Sequence, residues 1–244
     1  MNEETPIKKI VVIGPESTGK STLCEQLAYH FNTLWCPEYA RKYLLAHGKG
    51  YILAHGKDYI YEDLLTIAKG QLKLEDEYME KVRSVKYEVR GENEETRNKK
   101  QETREEEPCL RALGKENIEQ ETGNPKPQTP NLPAGQAGSK LLFIDTDMYV
   151  MKVWCEYVFG KCHQFILDQI AERKYDLYLL CTTDLPWVQD ELREYPAEEP
   201  RKELYRIYKD IFINQETPWV EISGDHEKRL NTAIAAVERY LMRS

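Results

Sequence analysis

The chain has 244 residues, and 42 acidic against 34 basic residues give it a formal net charge of −8 at pH 7. This acidic balance argues against a nucleic-acid backbone as the main partner, and no apolar run approaches the length of a membrane span. The six cysteines form no C-x-x-C pair, which is typical of small buried side chains in a reducing compartment. We therefore expect a cytoplasmic protein without a membrane partner, and the sequence leaves its oligomeric state open.

The first predicted elements surround a glycine-rich segment. Residues 10–13 form a short β-branched block typical of a buried parallel strand, and residues 21–28 fit a helix with Leu23 and Leu27 on one face. Between them stands the P-loop pattern G-x-x-x-x-G-K-[ST]. In this arrangement, the backbone N–H groups of the turn and the positive N-terminal end of the helix point towards a phosphate.

This pattern predicts that the protein binds a nucleoside triphosphate. Lys20 would reach the β- and γ-phosphates, and the Ser21 hydroxyl would ligate Mg²⁺. The predicted nucleotide-binding residues are Gly14, Pro15, Glu16, Ser17, Thr18, Gly19, Lys20, Ser21 and Thr22.

The next part of the chain predicts a strand at 33–36, a helix at 37–46 and a long helix at 61–82. A tandem duplication lies between the two helices, in which the unit at 45–52 is followed by a near copy at 53–60. Two units cannot build a solenoid. We therefore interpret the duplication as a slippage event that lengthened a connecting loop.

Residues 86–139 differ in composition from the rest of the chain, because they are highly charged at first and rich in proline and glycine later. Their sparse apolar residues cannot offset the entropy of ordering, so we predict a disordered or loosely structured insert. An insertion tolerated at the surface is the simpler interpretation, and a functional loop is the alternative. The predicted domain therefore consists of residues 1–85 and 140–244.

Three more strands are predicted, at 141–144, 176–181 and 219–222, and a helix at 225–241 closes the chain. Alternation of strands and helices predicts an α/β protein with a parallel five-stranded sheet covered by helices on both faces. With the P-loop, this is a P-loop nucleoside-triphosphate hydrolase fold that is nucleotide-kinase-like, with a lid segment. Ligands are then expected beyond the carboxyl ends of the strands.

Two aspartates follow the third predicted strand. Asp145 stands where a Walker B carboxylate should, to hold Mg²⁺ or to accept the proton of an attacking hydroxyl. Asp147 precedes a helix that begins near Met148, so it is suited to cap that helix. The two interpretations are compatible, with Asp147 as the cap and Asp145 as the functional group.

A lid is predicted between the fourth strand and the following helix, at residues 190–201. In small kinases a lid carries arginines onto the transferring phosphoryl group, and Arg193, Arg201 and Arg206 are the candidates. Alternatively, the charged residues of this segment form a solvent-exposed helix face.

Five motifs together resemble one family. They are the P-loop GPESTGKSTL, Glu38 to Arg41, Asp145 to Asp147 with Trp154 and Tyr157 beyond, Asp184 to Arg193, and Ile222 to Gly224 followed by Arg229. In these motifs the chain resembles the ribosylnicotinamide kinase domain of NadR-type proteins, within the P-loop AAA-type ATPase and kinase family. The resemblance covers residues 7–85 and 140–243.

The resemblance implies a kinase that uses ATP and Mg²⁺ to phosphorylate the 5′-hydroxyl of nicotinamide riboside, yielding nicotinamide mononucleotide in NAD salvage. The implied catalytic residues are Lys20, Asp145, Arg193 and Arg201, with Arg193 also contacting ATP and with Ser21 and Asp145 at the metal. The implied substrate-binding residues are Glu38, Arg41, Asp147, Trp154, Trp187 and Asp190. Aromatic faces suit the cationic nicotinamide ring, although for Tyr157 we favour core packing.

Two other functions fit the same sequence. One is an ATP- or GTP-binding regulatory NTPase whose second pocket binds a partner or a lipid headgroup. The other is a binding protein that has kept the nucleotide site and lost turnover.

Overall fold

The strands assemble into one parallel sheet in which the strand that precedes the P-loop is central. The computed structural model describes residues 6–55, 59–84, 140–188 and 197–242. The strand order is β2-β3-β1-β4-β5. The strands are β1 Lys8–Ile13, β2 Leu34–Cys36, β3 Leu141–Asp145, β4 Leu177–Cys181 and β5 Trp219–Ile222.

The helices alternate with these strands, as parallel pairing requires. They are α1 Lys20–His30, α2 Tyr39–His55, α3 Tyr61–Ser84, α4 Met148–Phe159, α5 Gln164–Glu172, α6 Glu198–Ile213 and α7 His226–Val237, followed by a π-helical turn at Glu238–Met242. None of the helices in the described part of the chain combines the length and the apolar character needed to cross a bilayer.

Alternate side chains of the central strand face opposite layers of helices. Ile10 and Val12 pack with residues of α1 and α7, whereas Val11 and Ile13 pack with residues of α3, α4 and α6. All four side chains have no exposed surface. The continuous apolar run of β1 therefore follows from burial on both faces, as is typical of a parallel sheet covered on each side. The predicted fold class is confirmed.

A third group of buried side chains lies away from the sheet. It joins α3 to α4 and α5 through Leu64, Ile67, Met148, Met151 and Ile166, with residues of α2 packed against it. The helices of this layer adjoin β2 and β3 in the chain, and these two strands form one side of the sheet. The layer therefore lies next to the P-loop, which follows the neighbouring strand β1. It forms the wall of the cavity described below.

The predicted connecting loop at the duplication was wrong in part, because α2 runs on to His55 and includes the whole first unit. Most residues of that unit are compatible with a helix, and each of its two glycines costs only about 1 kcal/mol relative to alanine. The duplication therefore lengthened a helix. The insert predicted at 86–139 lies outside the described residues, and its disorder stays a prediction.

The buried clusters of the described residues lead to a prediction about this insert. Deleting residues 91–135 and joining the ends with a short Gly/Ser linker should leave the melting temperature and the nucleotide affinity nearly unchanged. The reason is that the insert has too few apolar residues to add to a core, whereas the described residues already form a sheet with three buried apolar clusters. Thermal unfolding of the two chains checks this, and a melting temperature lowered by ten degrees or more would show that the insert packs on the domain.

Candidate functional site

The P-loop is a tight turn between β1 and α1 whose backbone needs glycine. Gly14 has φ +147°, and a Cβ at this position would lie 2.6 Å from the backbone oxygen of Cys181 on the neighbouring strand β4. Ser17 and Gly19 also have positive φ, at 56° and 77°. The loop leads directly into α1, which begins at Lys20. The first N–H groups of that helix have no intrahelical partner, so this end of α1 is suited to bind an anion.

Side chains donate hydrogen bonds to the backbone carbonyl groups of the P-loop. The Thr18 hydroxyl and the Lys20 ammonium both donate to the Pro15 carbonyl oxygen, at 2.8 and 2.9 Å. Arg201 donates to the carbonyl oxygens of Glu16 and Ser17, each at 3.3 Å.

The Thr18 carbonyl oxygen in turn accepts from Arg229 Nη1 at 3.0 Å. Four consecutive carbonyls, of residues 15–18, therefore have side-chain donors. A peptide plane directs its N–H away from its C=O, so these bonds also fix the directions of the N–H groups of residues 16–19.

The two residues predicted at the metal are in contact. Ser21 donates from its hydroxyl to Asp145 Oδ2 over 2.5 Å. Asp145 ends β3 and is almost completely buried. Burial raises the pKa of its carboxyl group, while the positive charge of Lys20 and the hydrogen bond from Ser21 act in the opposite direction.

Hard oxygen donors of this kind are the ligands that Mg²⁺ prefers, usually completed by substrate phosphates and water. Ser21 and Asp145 therefore fit the ion that a nucleoside triphosphate would bring. In the described residues no group of three or more His, Cys, Asp or Glu side chains would hold a metal by itself.

A cavity of about 200 Å³ extends from the P-loop towards α2, α3 and α4. One end is formed by P-loop residues, and the other is mainly apolar and aromatic. Outside the P-loop its lining comprises Glu38, Ala40, Arg41, Leu44, Tyr59, Leu64, Ile67, Thr146, Val150, Met151, Trp154, Leu204 and Tyr208. The sequence-predicted residues Glu38, Arg41 and Trp154 are therefore brought together.

Glu38 is the carboxylate in this lining. It is half-buried, and burial followed by the negative charge of Asp145 raises its pKa to about 7, against the opposing charges of Lys20 and Arg41. A carboxyl group with this pKa changes protonation near neutral pH, which suits a group that accepts a proton.

Gln71 orients the turn that carries Glu38, and the sequence analysis missed it. This side chain of α3 is buried, accepts from the Tyr39 backbone N–H at 2.7 Å and donates to the Pro37 carbonyl oxygen at 3.4 Å. The signal available in the sequence was a glutamine on the apolar face of a helix.

Asp147 lies outside the cavity lining. It caps α4 by accepting from the Tyr149 N–H at 2.9 Å, and its other oxygen accepts from the Tyr178 hydroxyl at 2.8 Å. The predicted cap is confirmed. Both carboxylate oxygens of Asp147 therefore have partners within the fold, and the side chain is buried.

The predicted aromatic and lid residues lie in different parts of the structure. The Trp187 ring lies outside the lining and packs 5.6 Å from the Arg201 guanidinium, and the Tyr157 hydroxyl donates to Glu203 at 3.1 Å. Arg201 belongs to α6 and is buried against the P-loop backbone. Arg193 and Asp190 lie outside the described residues, and their roles stay predictions.

Fold and site together define a P-loop nucleoside-triphosphate-binding α/β protein. A family model for the AAA domain matches residues 9–89 and 79–229, which is most of the chain. The chain belongs to this AAA domain family.

Curated relatives include the protein named trifunctional NAD biosynthesis/regulator protein NadR from Escherichia coli K12 and its counterpart from Salmonella typhimurium LT2. Each is 24% identical over 236 residues, which cover 96% of this chain and 43% of the relative. The chain thus spans less than half the length of these relatives.

Two solved structures share the fold. A crystal structure of NadR in complex with NR aligns with a TM-score of 0.57 at 20% identity, over 97% of this chain and 52% of that chain. A crystal structure of NadR in complex with NAD and AMP-PNP aligns with a TM-score of 0.53 at 20% identity, over 97% and 50% of the two chains.

The site predicts that Lys20→Ala prevents turnover of a nucleoside triphosphate while the fold persists. The Lys20 ammonium donates to the Pro15 carbonyl oxygen at the P-loop and is not part of the three apolar clusters, so the core should persist without it. Loss of such a charge at a phosphoryl site lowers turnover by on the order of 10²–10³ or more. Steady-state rates and thermal unfolding are the measurements.

The matched control is Lys202→Ala, because Lys202 forms exposed ion pairs with Glu198 and Glu199 on the surface of α6. The Lys202→Ala variant should change neither the steady-state rate nor the melting temperature. An undiminished rate in folded Lys20→Ala would contradict the P-loop mechanism.

Proposed function

We propose that the chain is an ATP-dependent kinase for a small riboside, with the 5′-hydroxyl of nicotinamide riboside as the acceptor. The observation that carries the proposal is the cavity beside the P-loop, whose lining outside the P-loop is aromatic and apolar with two charged groups, Glu38 and Arg41. Such a cavity suits one small, partly flat molecule, since small-molecule sites are mainly apolar with a few orienting polar groups. The names of the relatives and the NR and AMP-PNP complexes support this acceptor and ATP.

Phosphoryl transfer needs positioning and charge neutralisation more than covalent chemistry from the protein. Lys20 would neutralise oxygens of the transferred group, and the P-loop N–H groups would hold the phosphates. Ser21 and Asp145 would hold Mg²⁺, which neutralises phosphate charge when bound. Trp154 would stack on the nicotinamide ring, whose positive charge is attracted to an aromatic face.

The carboxylates of Asp145 and Glu38 would divide the remaining work. Asp145 has Ser21 as its partner at the phosphate end, whereas Glu38 lies in the lining of the acceptor cavity. A proton acceptor must come within hydrogen-bond distance of the attacking hydroxyl. We therefore assign the metal to Asp145 and the proton of the acceptor hydroxyl to Glu38, with Arg41 orienting the ribose.

The enzyme is expected to act in the cytoplasm. Cys24, Cys36, Cys155, Cys162 and Cys181 are all free thiols, as is usual in a reducing compartment.

The direct test measures riboside-dependent release of ADP from ATP and Mg²⁺, with mass spectrometry of the product. Nicotinamide riboside should yield nicotinamide mononucleotide, and adenosine and uridine serve as competing acceptors. ADP release that does not depend on any riboside would favour the regulatory NTPase. Binding of ATP without release of ADP would favour the binding protein that lacks turnover.

The division of work between the carboxylates gives a paired prediction. Asp145→Asn should lower kcat by on the order of 10²–10⁴ and raise the Mg²⁺ concentration needed for half-maximal activity. Glu38→Gln should lower kcat by on the order of 10² and leave the Mg²⁺ requirement unchanged. Rates measured with Mg²⁺ and acceptor varied separately distinguish the two effects, and the reverse assignment would exchange them.

The pH dependence provides a further check on Glu38. A base is active when deprotonated, so the wild-type rate should rise as the pH passes the Glu38 pKa of about 7. Glu38→Gln should lose this limb of the profile. A limb that persists in the variant would assign the proton to another group.

Trp154→Ala is expected to act on the acceptor. A stacking face holds the ground state and the transition state alike, so the KM for the riboside should rise about tenfold while kcat and the KM for ATP change little. Kinetics with both substrates varied measure this. Trp219→Ala is the matched control, because Trp219 packs against Phe212 in the core and lies outside the cavity lining. An unchanged riboside KM in Trp154→Ala would assign Trp154 to packing alone.

A further inference from the structure

Arg229 is a buried cation that connects three loops. It lies in the first turn of α7 and is 3% exposed. Its Nε donates to the Gly224 carbonyl oxygen at 2.8 Å, its Nη1 to that of Thr18 at 3.0 Å, and its Nη2 to that of Thr182 at 3.0 Å. It also forms an ion pair with Asp184. One planar guanidinium thus binds the loops that follow β1, β4 and β5.

Asp184 completes this arrangement. Its carboxylate accepts from the Gly224 backbone N–H and from the Thr182 hydroxyl, in addition to Arg229. Removing a charged partner from a buried cation is strongly destabilising, so the carboxylate of Asp184 compensates for the cost of burying the Arg229 charge. Arg229 and Asp184 lie on the β4–β5 side of the P-loop, whereas the cavity lies on the β2–β3 side.

The contact with Thr18 has a consequence for the nucleotide site. Thr18 stands between Ser17 and Gly19, both with positive φ. The Thr18 carbonyl and the Gly19 N–H belong to one peptide plane and point in opposite directions. A donor that holds the carbonyl therefore holds the Gly19 N–H towards the opposite side, where the phosphates are expected. Without that donor, rotation of the plane next to a glycine meets little steric resistance.

We propose that Arg229, with Asp184 as its counterion, is a positioning residue that sets the Gly19 N–H of the P-loop for phosphate binding. Arg229 acts through the loop backbone and does not touch the nucleotide. The proposal rests on nucleotide binding by the P-loop within the proposed function, and it is independent of which riboside is the acceptor. A lysine could not replace the arginine fully, because its three donors lack the planar fork that reaches Thr18, Thr182 and Gly224 together.

The test compares binding of AMP-PNP with Mg²⁺ to full-length variants by calorimetry, at a temperature well below every melting temperature. Arg229→Ala should weaken AMP-PNP binding by tenfold or more, and Arg229→Lys should recover only part of the loss. Binding of AMP should weaken less than that of AMP-PNP, because the N–H in question serves the β- and γ-phosphates. In turnover, the KM for ATP should rise while the riboside KM stays constant.

Arg173→Ala is the matched control. Arg173 also pairs with Glu75 and Asp76 in a partly buried cluster, but that cluster includes Lys9 at the start of β1, at the opposite end of the strand from the P-loop. The Arg173→Ala variant should be less stable than the wild type, and its affinity for AMP-PNP should stay within about twofold of the wild-type value. A merely structural role for Arg229 would give Arg229→Ala the same pattern as this control.

If Arg229→Ala does not fold, Arg229→Lys carries the test, because it keeps a positive charge beside Asp184 and loses the planar fork that reaches Thr18. Weakened AMP-PNP binding in this folded variant supports the proposal. Wild-type affinity in either folded variant overturns it. Failure of the wild type to phosphorylate nicotinamide riboside would overturn the acceptor assignment instead, and the AMP-PNP comparison would still be decisive for Arg229.

Discussion

The nucleotide site depends on how the carbonyl groups of the P-loop are satisfied. A loop that turns its N–H groups towards an anion must turn its carbonyl groups into the protein, where an unpaired polar group is costly. Here Arg201 and Arg229 supply the donors for residues 16–18 from α6 and α7. Two helices distant in sequence are therefore needed to fix one short loop, and their own packing against the sheet becomes a condition for binding phosphate.

The parallel sheet explains why these groups can meet. All five strands end at the same edge, and β1 lies between β3 and β4. The end of β3 supplies Asp145 to Ser21 on one side of the loop, and the segment after β4 supplies Asp184 to Arg229 on the other. The cavity and the Arg229 contacts thus lie on opposite sides of the same P-loop, which separates the proposed acceptor from this arginine.

Charge is distributed so that carboxylates meet cations around the cavity. Burial raises the pKa values of Glu38 and Asp145, and the charges of Lys20 and Arg41 act against that rise for both groups. Bound Mg²⁺ and nucleotide would change this balance, since the ion carries the largest local positive charge. The protonation of Glu38 is therefore expected to respond to occupancy of the neighbouring phosphate site.

The sequence by itself determined the fold class, the five strands and the P-loop, because these depend on local apolar runs and on a motif whose spacing is contiguous. It also indicated Asp145 as the partner of the P-loop and Asp147 as a helix cap. Only the tertiary structure decided that Arg201 holds loop carbonyls, that Gln71 orients the turn before α2 and that the duplicated unit extends a helix. The physical reason is that a charged side chain looks alike in sequence whether it faces solvent or a buried carbonyl, and the choice depends on contacts between segments up to 211 residues apart.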